Sequence, residues 1–342
     1  MKRKKLSVII LTYNSSRTII KCLDSLKNQS DKRFEVLIVD DDSIDNTLNI
    51  INNYSLTSKY KIRILTSGKK IIPISRNIGI RNSKSDYVAF IDSDAYANEY
   101  WVENIINSLK SGKIVVVGGE VNPSSRNHVS KAIALNDDTI RRLFAKDVTK
   151  LSSCNLAFNK KILKDYFFDE QFIAAEDIEF VARIEKKFEW AFIPEIKILH
   201  DSRDTLKKYF KQMYEYGLWK VYFAFYTNKF RAMDFIPSFL ILASLILPIF
   251  LFLFSFRAMD FIPSFFSSIS LILFILAFLL ILIIFSLVES IFILIYRRPS
   301  ILLFPYIFIS WVIKNYAFGL GTLIGILNIS FNKRIRIRFN RI

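Results

Sequence analysis

Two long stretches without charge constrain this chain most. Phe235–Phe256 runs 22 residues, and Phe261–Val288 runs 28, without an Asp, Glu, Lys or Arg. A helix that is apolar all round must be buried in protein or lie in lipid. At about 1.5 Å per residue, 22 residues of helix reach about 33 Å, enough to cross a bilayer core. The sequence therefore predicts membrane spans at about 235–256 and 262–288. A third stretch, Pro299–Asn328, has Lys314 and Asn315 at its middle. Its Gly321 and Gly325 have GxxxG spacing, which permits close helix packing. Over 300–328 it reads as a span or as a helix in the membrane interface.

Charge placement orients these segments. Arg297 and Arg298 follow the second run, and Lys333, Arg334, Arg336, Arg338 and Arg341 lie near the C-terminus. Positive flanks stay cytoplasmic. A two-span hairpin plus an interfacial or re-entrant third segment keeps both groups on the side of the N-terminal domain. The expectation is an integral membrane protein with that domain in the cytoplasm. Between them, residues 205–234 interleave Lys207, Lys208, Lys211 and Lys220 with Tyr209, Phe210, Trp219 and Tyr222. That mixture suits a juxtamembrane interfacial helix. The ten residues FRAMDFIPSF occur at 230–239 and again at 256–265, as a tandem duplication of one hydrophobic unit would leave them. An added span reverses the topology of every later segment. The expected parts are thus a domain over 1–204, the juxtamembrane helix at 205–234, the membrane region at 235–330 and a basic tail at 331–342.

The N-terminal part has a different rhythm. Leu6–Leu11, Phe34–Val39, Lys61–Leu65, Tyr87–Ile91 and Lys113–Val117 are strand-like. Ser16–Asn28, Ser43–Asn53 and Pro73–Asn82 are helical, the second opened by Ser43 with Asp45 in its first turn. Strands alternating with helices predict an α/β domain with right-handed crossovers and a mostly parallel, Rossmann-like sheet. Two cysteines, Cys22 and Cys154, exclude a disulfide framework.

In such sheets ligands sit at the carboxyl ends of the strands. Here those ends read Thr12-Tyr13-Asn14, Asp40-Asp41-Asp42 and Asp92-Ser93-Asp94. A chain of net charge +17 thus gathers five carboxylates at one sheet edge. Such a cluster repels itself unless a cation relieves it. Oxygen ligands suit Mg²⁺ or Mn²⁺, with substrate phosphates completing the shell. That points to a nucleotide diphosphate. No GxGxxG follows the first strand and no Walker A lysine loop occurs, and two histidines argue against a zinc hydrolase.

The motifs occur in a telling order: SVIILTYNS (7–15), FEVLIVDDDSIDNT (34–47), SRNIGI (75–80), YVAFIDSDA (87–95), VVGG (116–119), CNLAF (154–158) and AEDIEF (175–180). Over about residues 5–200 the chain resembles the family 2 glycosyltransferases with the GT-A fold. Its layout resembles membrane-anchored members that glycosylate polyprenyl or dolichyl phosphates. The resemblance implies residue roles. Tyr13 and Asp41 contact the nucleobase, and Arg76 lies near the base and diphosphate. Asp92 and Asp94 form the DxD motif, with Asp94 the metal ligand and Asp92 nearer the ribose. Asp177 of the Glu176-Asp177 pair is the catalytic base, and Glu176 is a second catalytic candidate. His200, after the strand-like Ile196–Leu199, is a further metal or diphosphate ligand. Asp42 replaces the small residue often seen after the paired aspartates.

The implied activity is transfer of a sugar, with inversion, from a UDP- or GDP-linked donor to a membrane-associated, polyprenyl-linked or glycan acceptor, as in cell-envelope or protein glycosylation. One base deprotonates the acceptor hydroxyl and a cation stabilises the leaving diphosphate. A processive polysaccharide synthase is disfavoured, because Gln212–Tyr216 lacks the QxxRW motif of such enzymes. A non-catalytic membrane scaffold is disfavoured by the intact Asp94 and Asp177. Nucleic acid is not an expected partner, since the basic residues cluster at the termini and beside the apolar runs.

Overall fold

The computed structural model describes residues 4–58, 60–144, 151–163, 165–172, 176–227, 235–239, 241 and 264–330. Most of the expected span at 235–256, all of the basic tail and most of the second FRAMDFIPSF copy lie outside these residues. The chain divides into two units. Among the described residues, those up to 124 and 140–201 belong to the first; 125–139 and those from 202 to 330 belong to the second.

The first unit is an eight-stranded sheet in the order β3-β2-β1-β4-β7-β6-β8-β5. Its strands are β1 Leu6–Thr12, β2 Phe34–Asp40, β3 Ile62–Thr66, β4 Tyr87–Ile91, β5 Ala95–Ala97, β6 Val116–Ser124, β7 Asn155–Asn159 and β8 Trp190–Asp201. Strands β3, β2, β1 and β4 are mutually parallel, and β7 runs antiparallel to both β4 and β6. Strand β8 is parallel to β6 and antiparallel to β5. This is the mostly parallel α/β sheet that the alternating pattern predicts. The central strands are apolar on both faces because helices cover both. Every residue of β2 is buried.

The helices dock by the stripes visible in the sequence. Helix α1, Ile19–Lys27, buries Ile19, Cys22, Leu23 and Leu26, one face at helical spacing. Helix α3, Ile72–Asn82, has Pro73 in its first turn, as expected. A Cβ on its Gly79 would stand 2.6 Å from Ile9 Cγ2, so the helix lies directly on β1. Helix α4 is Trp101–Leu109 and α6 is Glu176–Ile184.

Some boundaries differ from expectation; helix α1 starts at Ile19, not Ser16. Helix α2 is Thr47–Thr57, not Ser43–Asn53. Ser43 does not open it; its hydroxyl donates to Asp40 at 2.6 Å and its N–H to the same carboxylate at 2.9 Å. Asp45 precedes the helix, accepting the Thr47 N–H at 3.0 Å and the Ser16 N–H at 3.2 Å, as a turn-former. The strand expected at Lys113–Val117 begins at Val116 and continues to Ser124. It needs Gly119, where a Cβ would fall 1.8 Å from the Ile196 carbonyl oxygen. The register with β8 shifts just beyond it, between Gly119 and Val121.

The second unit contains α7 Leu206–Thr227, α8 Ser264–Arg297 and α9 Phe304–Ser330, with the first turns of α5 (His128–Phe144). The residues of the expected span at 262–288 that are described belong to α8, which continues past Glu289 to Arg297. The stretch Ile301–Ile329 is long and apolar enough to cross a membrane. Its glycines pack against α7: a Cβ on Gly321 would stand 2.0 Å from the Tyr214 carbonyl oxygen, and one on Gly325 2.9 Å from that of Leu218. From the other side, a Cβ on Gly217 would stand 2.0 Å from the Phe318 carbonyl oxygen. The GxxxG pair therefore serves contact with the basic, aromatic helix. Polar side chains at mid-helix pair with one another. Asn315 donates to Glu289 at 2.7 Å and to Ser286 at 3.1 Å.

Gly119→Ala is expected to destabilise the first unit by about 3 kcal/mol or more, because backbone blocks the added methyl. Thermal melts of the variant and parent check this; equal melting temperatures would contradict the close approach.

Candidate active site

Chain direction assembles the site. Parallel strands β1, β2 and β4 end at one edge, carrying Tyr13, Asp41 and Asp92 there. Antiparallel β7 starts at that edge with Ser152, Ser153 and Cys154 before it. Strand β8 returns there with His200, which pairs with Ala95 beside Asp94.

The loops after β1 and β2 are stitched together. Asn14, at φ 51°, accepts the Ile44 N–H at 2.9 Å, and its own N–H donates to Ser43 at 2.9 Å. Buried Asp40 accepts the Thr12 hydroxyl at 2.8 Å. Asp41 is also buried and accepts hydroxyls from Ser67 and from Ser75, the latter at 2.5 Å. Asp42 is exposed at φ 59°, where Asp is among the residues that tolerate left-handed backbone. Tyr13 is half-buried, with the Lys70 ammonium 5.1 Å from its ring centre.

The DxD segment faces His200. Its Nε2 lies 3.3 Å from Asp94 and 3.6 Å from Asp92. Burial disfavours the imidazolium, but the Asp94 and Asp92 carboxylates outweigh it and raise His200 well above the usual imidazole range. Ser15 and Ser93 share a hydrogen bond of 2.8 Å across the β1 and β4 loops. The ligand atoms of Asp92, Cys154 and His200 all lie within 4.8 Å of one another. Two carboxylates and an imidazole are a donor set that fits a divalent cation.

Asp177 is half-buried in the first turn of α6. One carboxylate oxygen accepts the Ser153 N–H at 3.2 Å and the Ser153 hydroxyl at 3.0 Å. Its neighbour Glu176 is buried, not solvated as a plain helix start would be. Arg76 pairs with it at 3.2 Å. Burial pushes the Glu176 carboxyl up to about 7 against the pull of Arg76, and Asp177 adds to the rise. Arg76 is itself only 4% exposed. Its guanidinium lies over Phe90 and Phe168, 5.1 and 5.4 Å from their ring centres. It also donates to the Ser153 carbonyl at 3.4 Å. Three successive α3 residues thus each hold a different part of the site: Ser75 holds Asp41, Arg76 holds Glu176, and Asn77 exchanges hydrogen bonds with the Phe168 backbone.

Residues 7–167 match the family model described as Glycosyl transferase family 2. This matched segment, just under half of the chain, is similar to the family 2 glycosyltransferases. It is similar to the dolichyl N-acetyl-alpha-D-glucosaminyl phosphate 3-beta-D-2,3-diacetamido-2,3-dideoxy-beta-D-glucuronosyltransferase of Methanococcus voltae, 27% identical over 236 residues, 62% of this chain and 71% of that one. It is also similar to the poly(ribitol-phosphate) beta-N-acetylglucosaminyltransferase TarP of Staphylococcus aureus, 30% identical over 190 residues, 50% of this chain and 58% of that one. The match therefore spans just over two thirds of the first relative and less than two thirds of the second. Among solved structures, S. aureus TarS 1–349 in complex with UDP superposes with a TM-score of 0.47 at 19% identity, covering 94% of this chain and 91% of that one.

The structure adds three residues to those the sequence singles out. Ser153 holds Asp177, Lys70 lies over Tyr13, and Cys154 stands beside Asp92 and His200. Only the antiparallel register of β7 on β4, with Ile91 opposite Asn155, reveals the last.

Removing Arg76 leaves Glu176 buried without its partner, which costs about 3–5 kcal/mol. Arg76→Ala should therefore melt far lower at pH 8. A carboxyl raised in the fold is better accommodated when protonated, so the variant regains stability as the pH falls from 8 through 7 toward 5. A pH-independent deficit in thermal melts would contradict the pairing. Arg76→Ala with Glu176→Gln should recover part of the loss.

Proposed function

We propose that this chain transfers a sugar, with inversion at the anomeric carbon, from a nucleotide-diphosphate donor to a lipid-linked or glycan acceptor at the cytoplasmic face of a membrane. The observation that carries this reading is the family 2 similarity, with Asp92, Asp94, His200 and Asp177 on one sheet edge. Tyr13 and Asp41 take the nucleobase. Asp94, with Asp92 and His200, holds Mg²⁺ or Mn²⁺ and the diphosphate; the bound ion supplies positive charge to the leaving group.

Asp177 takes the proton of the acceptor hydroxyl. Ser153 holds one of its oxygens and so aims the carboxylate. In this reading Glu176, expected as a second catalytic residue, acts through Asp177 rather than on substrate. Paired with Arg76, it anchors the first turn of α6 and so fixes Asp177. One base acting opposite the leaving group gives inversion, unlike the two-carboxylate arrangement of retaining glycosidases.

The membrane reading rests on the apolar runs at 235–256 and 261–288 and on Ile301–Ile329. The Methanococcus relative's name gives a dolichyl phosphate-linked acceptor, and the Staphylococcus one a phosphate polymer. A phosphate-bearing acceptor at a membrane agrees with both and with the net charge of +17.

Membranes containing the protein, given labelled UDP- and GDP-sugars with Mg²⁺ or Mn²⁺, should pass label into the organic extract. EDTA should abolish this. Asp177→Asn should lower the rate at least about 100-fold. Undiminished transfer by that variant would remove Asp177 as the base. Label in insoluble polymer alone would make the chain a synthase instead.

A further inference from the structure

Cys154 is a thiol at the sheet edge that sugar transfer does not use; burial pushes it up to about 11. It is 7% exposed, stands at the start of β7 and shares a 3.3 Å contact with the Ser152 hydroxyl. Its sulfur, an Asp92 oxygen and a His200 nitrogen lie within 4.8 Å of one another. In a tetrahedral site with a metal–sulfur bond of about 2.3 Å and a metal–nitrogen bond of about 2.0–2.1 Å, ligand atoms stand about 3.3–3.7 Å apart. Small side-chain rotations close the present spacing to that value.

We infer that Cys154, Asp92 and His200 form a second metal-binding mode of this site, one that selects a borderline-soft cation such as Zn²⁺ over Mg²⁺. Sulfur, imidazole nitrogen and a carboxylate oxygen are the three ligand types that Zn²⁺ takes, whereas Mg²⁺ requires oxygen and near-octahedral geometry. His200 is the pivot. Its Nε2 lies near both Asp94 and Asp92, and an imidazole nitrogen, the Asp92 carboxylate and the Cys154 sulfur lie within 4.8 Å of one another. Three protein ligands leave a fourth position for water or a phosphate oxygen. Binding in this mode requires the Cys154 thiol to lose its proton to solvent as the metal–sulfur bond forms. Because the two modes share Asp92 and His200, Zn²⁺ blocks the ion used for transfer. The inference rests on the proposed function only through those shared ligands.

Co²⁺ is the probe, since it takes zinc sites and reports its ligands by colour. Full-length protein in detergent should bind one Co²⁺ per chain with a near-ultraviolet thiolate-to-cobalt charge-transfer band. Equimolar Zn²⁺ should abolish the band, while about a hundred-fold excess of Mg²⁺ should not. Cys154→Ser should lose the band, and Asp94→Asn should keep it. His200→Gln leaves both cysteines in place and should weaken Co²⁺ by more than about tenfold, the loss expected even from removing an outer partner of a metal ligand. Co²⁺ bound without a thiolate band, no Co²⁺ bound, or a band surviving in Cys154→Ser would each overturn the inference. Sugar transfer with Mg²⁺ but no thiolate band would sink this inference alone. A thiolate band without transfer under any donor would sink the transferase reading and leave this one.

Discussion

Negative charge crowded onto one sheet edge is the constraint around which the first unit is arranged. Asp40, Asp41, Asp92 and Asp94 follow strand ends that chain direction forces together, and Asp177 joins them from α6. Left alone they would repel one another and take up protons. Each has a local answer. Hydroxyls of Thr12, Ser43, Ser67 and Ser75 hold Asp40 and Asp41, and His200 faces Asp92 and Asp94. Ser153 holds Asp177, and Arg76 neutralises Glu176 beside it. Hydroxyls serve the fully buried Asp40 and Asp41. The groups left half-buried, Asp92, Asp94 and Asp177, are those assigned to chemistry.

Arg76 shows what contacts add to the role implied by the resemblance. The resemblance implies a place near the base and diphosphate. In the structure its guanidinium is sandwiched by Phe90 and Phe168 and spent on Glu176 and the Ser153 carbonyl. Both of its protein acceptors belong to the groups that fix Asp177. These contacts tie its side chain to the groups around Asp177.

Much of the sheet was legible because parallel strands covered on both faces leave unbroken apolar runs, as at Phe34–Val39 and Tyr87–Ile91. The aspartates at their ends were legible for the same reason, since a strand's end predicts its edge. Helix α2 was misread because Ser43 resembles a cap, while its hydroxyl has a nearer partner in Asp40. Cys154 and Ser153 were invisible as site residues because their place depends on antiparallel register between distant strands, which no local pattern encodes. In the second unit the GxxxG spacing of Gly321 and Gly325 was evident, but its partner was not. That the partner is α7, through Gly217, depends on the fold.

The central claim is that the edge formed by Asp92, Asp94 and His200 holds a nucleoside diphosphate through a divalent cation. The most direct measurement is equilibrium binding of UDP and GDP to the full-length protein, with Mn²⁺ and with EDTA, in the parent and in Asp94→Asn. The account predicts that one nucleotide binds at least about tenfold more tightly with Mn²⁺ in the parent, and that Asp94→Asn removes this difference. Binding of either nucleotide that ignores both the cation and Asp94, or no binding of either, would contradict it.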